Sequence, residues 1–381
     1  AGLCRAAAGG GMNSQRPRIL EVLYSYEIGG SQLVGLELAK QLRDDGAEVL
    51  CAALDSTPGP ILERCRDYGL PAVDLAVPKQ HPLGRNGLSW GLTCRLRELR
   101  VDAVHLQHFL GLNKLGLPAR LAGIERVVAT EHSVFDVGQS LAGRLRVRLN
   151  WRLASAITVV HQGIKDYLCN QLRVPSDRVS VIPIGIDVDS FHRDDRAVRR
   201  GELGIADEFV FVFVGRLAPV KNVPQLVDAF LELQSESVPP SRLLVVGDGE
   251  EMTVVRTLLE AHPLGSRVIL AGEQSDVRKY LAVGDAFVLN SSSEGTPRAL
   301  LEAMATGLPG VCPAVGNIPE MIAGRGWLTE RGSPDSLRNA MRSMLNAPHA
   351  VHEAGRNSRA YVREQLDARA VAAQYRQLLV D

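Results

Sequence analysis

Residues 209–222 read Phe-Val-Phe-Val-Phe-Val-Gly-Arg-Leu-Ala-Pro-Val-Lys-Asn. Six apolar residues in a row, Phe209 to Val214, predict a strand covered on both faces, and a glycine and a cationic loop follow at once. The same pattern repeats outward from this point. Downstream, 243–246, 268–270 and 286–289 are apolar runs, each followed by a turn and a helical pattern. Upstream, 19–23, 47–54, 103–106, 127–130, 157–160 and 179–182 do the same. After the first of these comes Gly29-Gly30, then Ser31 as an expected helix cap. A helix with Leu33, Leu36, Leu38, Ala39 and Leu42 on one broad face follows, ending at Gly46. Strands alternating with helices predict an α/β protein of two doubly wound, Rossmann-like parallel sheets.

The chain has 381 residues, which at about 150 per domain suggests two domains. We expect one over 12–190 and one over 191–365, with 366–381 a C-terminal helix packing back on the first. Residues 183–191 read as the connector. Apolar residues make up 45% and aromatics only 5%, which suits α/β layers. Lys plus Arg and Asp plus Glu are 43 each, so no basic excess points to a nucleic-acid partner. The six cysteines (Cys4, Cys51, Cys65, Cys94, Cys169, Cys312) have no CxxC pair and read as reduced thiols of a cytoplasmic protein. No apolar run approaches the roughly 20 residues that span a bilayer. The Ala/Gly stretch 6–11 lacks the apolar core of a signal peptide, and Met12 reads as a start.

Ligands of doubly wound sheets bind at the carboxyl ends of the strands, so the loops that follow strands carry the chemistry. Residues 290–304, Asn-Ser-Ser-Ser-Glu-Gly-Thr-Pro-Arg-Ala-Leu-Leu-Glu-Ala-Met, open a helix just after Pro297. The first N–H groups of that helix, on Arg298, Ala299 and Leu300, are expected to face the cleft as a phosphate site. Glu294 and Glu302 flank the helix start and can each accept from vicinal hydroxyls; alone, they read equally as a helix-start acid and a solvated one. Arg216 and Lys221, a turn apart, can offset the charge of a diphosphate leaving group without a metal. Leu244-Val-Val-Gly-Asp-Gly249 adds a third glycine turn.

These segments, in this order, resemble the family 4 glycosyltransferases of the two-Rossmann GT-B fold, from about Arg18 onward. Glu294 to Glu302 matches the E-x7-E motif within LLEAMATGLP, GRLxxxKN matches the diphosphate-binding loop, and VIPIGID resembles the linker stretch. The resemblance implies that Arg216 and Lys221 hold a pyrophosphate, that Glu302 binds ribose hydroxyls, and that Glu294 faces donor-sugar hydroxyls. It implies that Gly295, Thr296, Pro297, Ala299 and Leu300 wrap the phosphates and that Gly272 and Glu273 meet the base. Gly29 and Gly30 would lie near the donor phosphates and the acceptor. His132 matches a cleft histidine that, as a neutral imidazole, would donate to a sugar hydroxyl or phosphate. His105 and His108 are expected to line the acceptor side. Ile184, Gly310 and Asn317 depart from the family pattern, at positions that bear on hinge packing and donor specificity rather than reaction class.

The implied activity is retaining transfer of a hexose or N-acetylhexosamine from a UDP or GDP sugar to a sugar or lipid-linked hydroxyl, with no cofactor and no metal. The family's route is front-face substitution, in which the leaving phosphate deprotonates the acceptor. The only DxD, Asp187-Val-Asp189, sits in the connector. Arg144, Arg146, Arg148 and Arg152, interleaved with Leu and Val around Trp151, form a basic amphipathic helix suited to an anionic inner membrane face. The alternatives are a nucleotide-sugar epimerase of the same fold and a non-catalytic sugar-nucleotide binder.

Overall fold

The computed structural model describes residues 16–77, 89–133 and 141–381. Cys4, Met12 and the 6–11 stretch lie outside the described residues. Two six-stranded sheets form the frame. The first holds β1 (Arg18–Ser25), β2 (Glu48–Asp55), β3 (Ala103–Leu106), β4 (Arg126–Glu131), β5 (Ala156–Val159) and β6 (Val179–Val181), in the order β2-β1-β3-β4-β5-β6. The second holds β7 (Phe209–Val214), β8 (Ser241–Val246), β9 (Val268–Gly272), β10 (Ala286–Val288), β11 (Gly310–Pro313) and β12 (Gly326–Thr329), in the order β12-β11-β10-β7-β8-β9. Every pairing is parallel.

The all-apolar reading of 209–214 fits the packing: Val210, Phe211, Val212 and Phe213 are fully buried, because helices cover both faces of the sheet. The last two strands, β11 and β12, carry glycine or proline at their ends and have no long apolar run, so the sequence pattern passed over them.

The strand orders fix where ligands can go. In each sheet the chain starts centrally, winds outward one way, then returns and winds the other way. The switch points fall between β1 and β3 and between β7 and β10, where the crevices at the carboxyl edges open. The loops after β1 and β3 carry Gly29-Gly30 and His108, and the loops after β7 and β10 carry Arg216, Lys221 and Glu294.

The Gly30–Asp44 helix starts two residues earlier than its sequence suggests. Gly29 is its cap, with extended backbone and no side-chain cap bond, so Ser31 lies in the first turn and does not cap. Its hydroxyl instead meets Gln32 Oε1 at 3.0 Å and His108 Nε2 at 3.0 Å. At the other end of the chain, the Ala368–Leu379 helix lays Val371, Ala372, Tyr375 and Leu379 into the same apolar cluster as Leu36, Leu42 and Val49 of the first sheet's layer. Among the described residues no helix is long and apolar enough to cross a membrane.

Candidate active site

The two loops at the second switch point are stitched together before any ligand is considered. Asn290 Nδ2 donates to Asn222 O at 3.2 Å and to Gln225 Oε1 at 3.0 Å, and Ser292 N–H donates to Val220 O at 2.8 Å. This brings Lys221 Nζ to 2.5 Å from Glu294 Oε1, which also accepts from the Ser291 hydroxyl at 2.6 Å. Two of the side chains singled out by the sequence are thus direct partners. Lys221 has three donors, so holding Glu294 leaves capacity for an anion. Arg216 is exposed on the same loop. The neighbouring β8 and β9 loops join by main-chain bonds: Leu217 N–H to Asp248 O at 2.8 Å and Gly247 N–H to Gly272 O at 2.8 Å. Glu273, next to Gly272, is exposed.

The helix Arg298–Thr306 starts at this point, with Pro297 as its cap. The expectation that Leu300 offers a free N–H is corrected: it donates to Pro297 O at 3.1 Å, which closes the first turn. Arg298 and Ala299 remain as the open donors at the helix start. Glu302, one turn in, is buried, and Arg298 Nε holds its Oε1 at 2.8 Å. The same guanidinium reaches the first half of the molecule, where Nη2 lies 2.5 Å from Glu37 Oε1. Burial works against the Arg298 charge, but Glu37 and then Glu302 outweigh it and its pKa rises. For Glu302 burial dominates and moves its pKa up, with Arg298 opposing. Two polar atoms here are buried with no partner, Thr296 Oγ1 and Arg298 Nη1. Native proteins rarely leave such groups unpaired.

Opposite lies His132, just after β4. The halves nearly touch here, since a Cβ built on Gly295 would stand 2.7 Å from the His132 carbonyl oxygen. His132 Nε2 is 2.6 Å from Gln107 Oε1. Burial foremost, then His108 and His105, hold its pKa well below 6.5, so the ring is neutral. Since an amide oxygen only accepts, Nε2 must carry the single ring proton. His132 thus turns Nε2 to Gln107 inside the first half, so a donor sugar or phosphate would have to be met by its other ring nitrogen. His105 is corrected as well. It is fully buried between Glu21 (2.8 Å) and Thr130 (2.7 Å) and does not line the acceptor side. His108 stays near the crevice, 5.4 Å from the His132 ring.

Sequence reasoning missed Glu21, Gln107 and Glu37, and gave Arg298 only a main-chain role, not the side-chain one. Glu21 had left a signal: a carboxylate inside the apolar run of β1 needs a buried partner.

Two family models match adjoining parts of the chain, "Glycosyltransferase Family 4" over residues 28–190 and "Glycosyl transferases group 1" over 195–361. A UDP-Gal:alpha-D-GlcNAc-diphosphoundecaprenol alpha-1,3-galactosyltransferase of Escherichia coli is 31% identical over 65% of this chain and 67% of its own length. The chain belongs to glycosyltransferase family 4. An N-acetyl-alpha-D-glucosaminyl L-malate synthase of Bacillus anthracis is 25% identical to this family 4 glycosyltransferase over 93% of the chain and 94% of the relative. Among solved structures, Anabaena HepE in complex with UDP superposes with a TM-score of 0.79 at 22% identity, covering 95% and 98% of the two chains. A glycosyltransferase from Rickettsia africae reaches 0.82 at 15% identity, covering 96% and 99%. The fold of this glycosyltransferase is therefore the two-sheet GT-B arrangement.

Proposed function

We propose that this glycosyltransferase moves a hexose or N-acetylhexosamine from a nucleotide diphosphate sugar to a hydroxyl acceptor, with retention of configuration and without a metal. The observation that carries the reading is the Lys221–Glu294 pair, 2.5 Å apart at the second sheet's switch point. A cation and a hydroxyl acceptor fixed side by side suit a phosphate and the sugar attached to it. In this reading Arg216 and Lys221 take the pyrophosphate with the N–H groups of Arg298 and Ala299, across the turn of Gly295, Thr296 and Pro297. Glu294 receives donor-sugar hydroxyls, Glu302 receives ribose hydroxyls, and Gly272 with Glu273 meets the base. Gly29 and Gly30 flank the phosphates and the acceptor. As the glycosidic bond breaks, the leaving phosphate oxygen takes the acceptor's proton on the same face, and the protein supplies positioning and fixed charge. The domain division at about residue 190, with the 366–381 helix returning to the first half, belongs to the same proposal.

Of the UDP and GDP donors, uridine is favoured by the E. coli relative named for UDP-Gal and by the UDP-bound HepE structure. The relative's diphosphoundecaprenol substrate also favours a lipid-linked acceptor. So does the surface of the Leu141–Asn150 helix. Leu141, Leu145 and Leu149, at i, i+4 and i+8, are 85%, 58% and 59% exposed, between Arg144, Arg146, Arg148 and Arg152. Such a stripe can enter the lipid headgroup region while the arginines meet anionic lipid. Arg152 and Arg178 also flank the Trp151 ring. Flotation with vesicles containing anionic lipid should carry the protein, and Leu145→Glu with Leu149→Glu should release it.

The deciding experiment is incubation with a panel of UDP and GDP sugars and polyprenyl-linked acceptors, read by mass spectrometry and product NMR. Free nucleoside diphosphate, product with the donor's anomeric configuration and no loss in EDTA are expected. An epimerised donor without transfer, or a thermal shift without turnover, would replace the reading with an epimerase or a binder.

A further inference from the structure

The first sheet holds a buried polar chain that the proposed chemistry does not by itself require. It starts at the cleft with His132 Nε2 against Gln107 Oε1 at 2.6 Å. Gln107 Nε2 lies 2.5 Å from Glu21 Oε1, and Glu21 Oε2 lies 2.8 Å from His105 Nδ1. His105 Nε2 meets Thr130 Oγ1 at 2.7 Å, which in turn is 2.6 Å from Thr158 Oγ1 and 3.2 Å from the Tyr375 hydroxyl. Glu21, His105 and Thr158 have no exposed surface, and Gln107 has almost none. Space for the Gln107 amide comes from Gly35, inside the Gly30–Asp44 helix. A Cβ there would stand 3.0 Å from Gln107 Cδ, so a residue that costs a helix about 1 kcal/mol against alanine is used where the amide must fit.

The direction of each bond follows from the chemistry of its ends. The Gln107 amide turns its NH₂ toward Glu21, whose carboxyl oxygen accepts. Its carbonyl oxygen is then forced toward His132, and that oxygen only accepts. The proton of the neutral ring therefore sits on Nε2, and the Nδ1 lone pair is left uncommitted by this chain. We propose that Glu21 and Gln107 are positioning residues that hold His132 in its Nε2–H tautomer, so that Nδ1 is presented as an acceptor for a hydroxyl of the donor sugar. The inference rests on the reading that His132 meets that sugar. It adds a specificity consequence: the position His132 reads must carry a hydrogen-bond donor, and a fluorine or methoxy group there is rejected.

Among the described residues, the groups facing His132 are Glu131 at the end of β4, His108 at the start of the Phe109–Leu121 helix, and Gln107 with Glu21 and His105 behind it. Among these, the Glu131 carboxylate is taken up by the N–H groups of Phe109, His132 and Ser133 at 3.1, 3.0 and 3.2 Å, with His108 Nδ1 3.6 Å away.

The test uses the full chain labelled with ¹⁵N-histidine, with His132 assigned by its loss in His132→Asn. Long-range ¹H–¹⁵N correlations should show His132 as a single Nε2–H species. Glu21→Gln keeps the shape but lets the pair of amides point either way, so His132 should become a tautomer mixture and kcat should fall about tenfold with little change in KM, the worth of one neutral hydrogen bond. The exchange Glu21→Gln with Gln107→Glu again places an acceptor-only oxygen on Nε2 and should restore both the spectrum and most of the rate. A wild-type Nδ1–H or imidazolium spectrum overturns the proposal, as does an unchanged tautomer and rate in Glu21→Gln. Should the tautomer behave as described while His132→Ala turns over at the wild-type rate, the placement of His132 at the sugar fails instead.

Discussion

The carboxyl edges of the two sheets solve the same positioning problem in opposite ways. At the first, a row of side chains from β1, β3, β4, β5 and the C-terminal helix bond to one another out of water, and each partner is present in the protein. At the second, the glycine loops bond through their main chains, Arg216 stays exposed while Arg298 and Glu302 are buried, and Thr296 Oγ1 and Arg298 Nη1 go without partners. The first edge is complete by itself, and the second awaits something to complete it. Deleting a group from the first should therefore cost stability above all, beyond the tautomer effect on His132, and deleting one from the second should cost catalysis.

The largest expected effect follows from that split. Glu21→Ala leaves His105 and Gln107 facing a hole where a buried acceptor stood, and it should cost roughly 3–5 kcal/mol in denaturant unfolding. A cost under about 1 kcal/mol would mean the buried chain is not structural. Next, Lys221→Ala or Glu294→Ala should lower kcat by about 10²–10³, the range for one lost transition-state contact, with an unchanged melting midpoint. Equal losses of stability at both edges would erase the contrast. Smaller again, Gly295→Ala pushes a methyl to 2.7 Å from the His132 carbonyl oxygen and should lower kcat/KM about tenfold through a misplacement well under one ångström. A fully active Gly295→Ala enzyme would show that the halves need not approach this closely.

The smallest effect is one of pH. Burial holds His132, and also His161, below 6.5 in the folded state. Below about pH 6.5 the unfolded chain takes up protons that these sites refuse, so stability falls as the pH drops from 7 to 5, by at most about 1.4 kcal/mol per unit for each group. Above that range their contribution is flat. His132→Asn should shallow the slope seen by thermal unfolding, and an identical slope would remove His132 as a cause.

The fold was largely legible because its evidence is local. Buried parallel strands such as 209–214 announce themselves as unbroken apolar runs, and Pro297 marks a helix start. β11 and β12 were not, since four-residue strands with Gly310, Pro313 and Gly326 at their ends resemble turns. At the site, Lys221 and Glu294 were singled out separately; their contact depends on the β7–β10 neighbourhood, which only topology provides. The direction of His132's hydrogen bond depends on Glu21 in another strand, and Ser31 lost its expected role because Gly29 already supplies the extended backbone a cap needs. The acid at Glu302 was found, but its guanidinium partner also answers to Glu37, far away in sequence.

That last contact has a thermodynamic corollary. Arg298 is a single cation shared by a carboxylate from each half, and widening the gap between the halves must separate it from Glu37. If Glu302 receives ribose hydroxyls as proposed, the separation of the halves and nucleotide binding are linked variables, each biasing the other by an equal free energy. A change at Glu37, which the proposed site does not itself use, would on this account register as a change in nucleotide affinity.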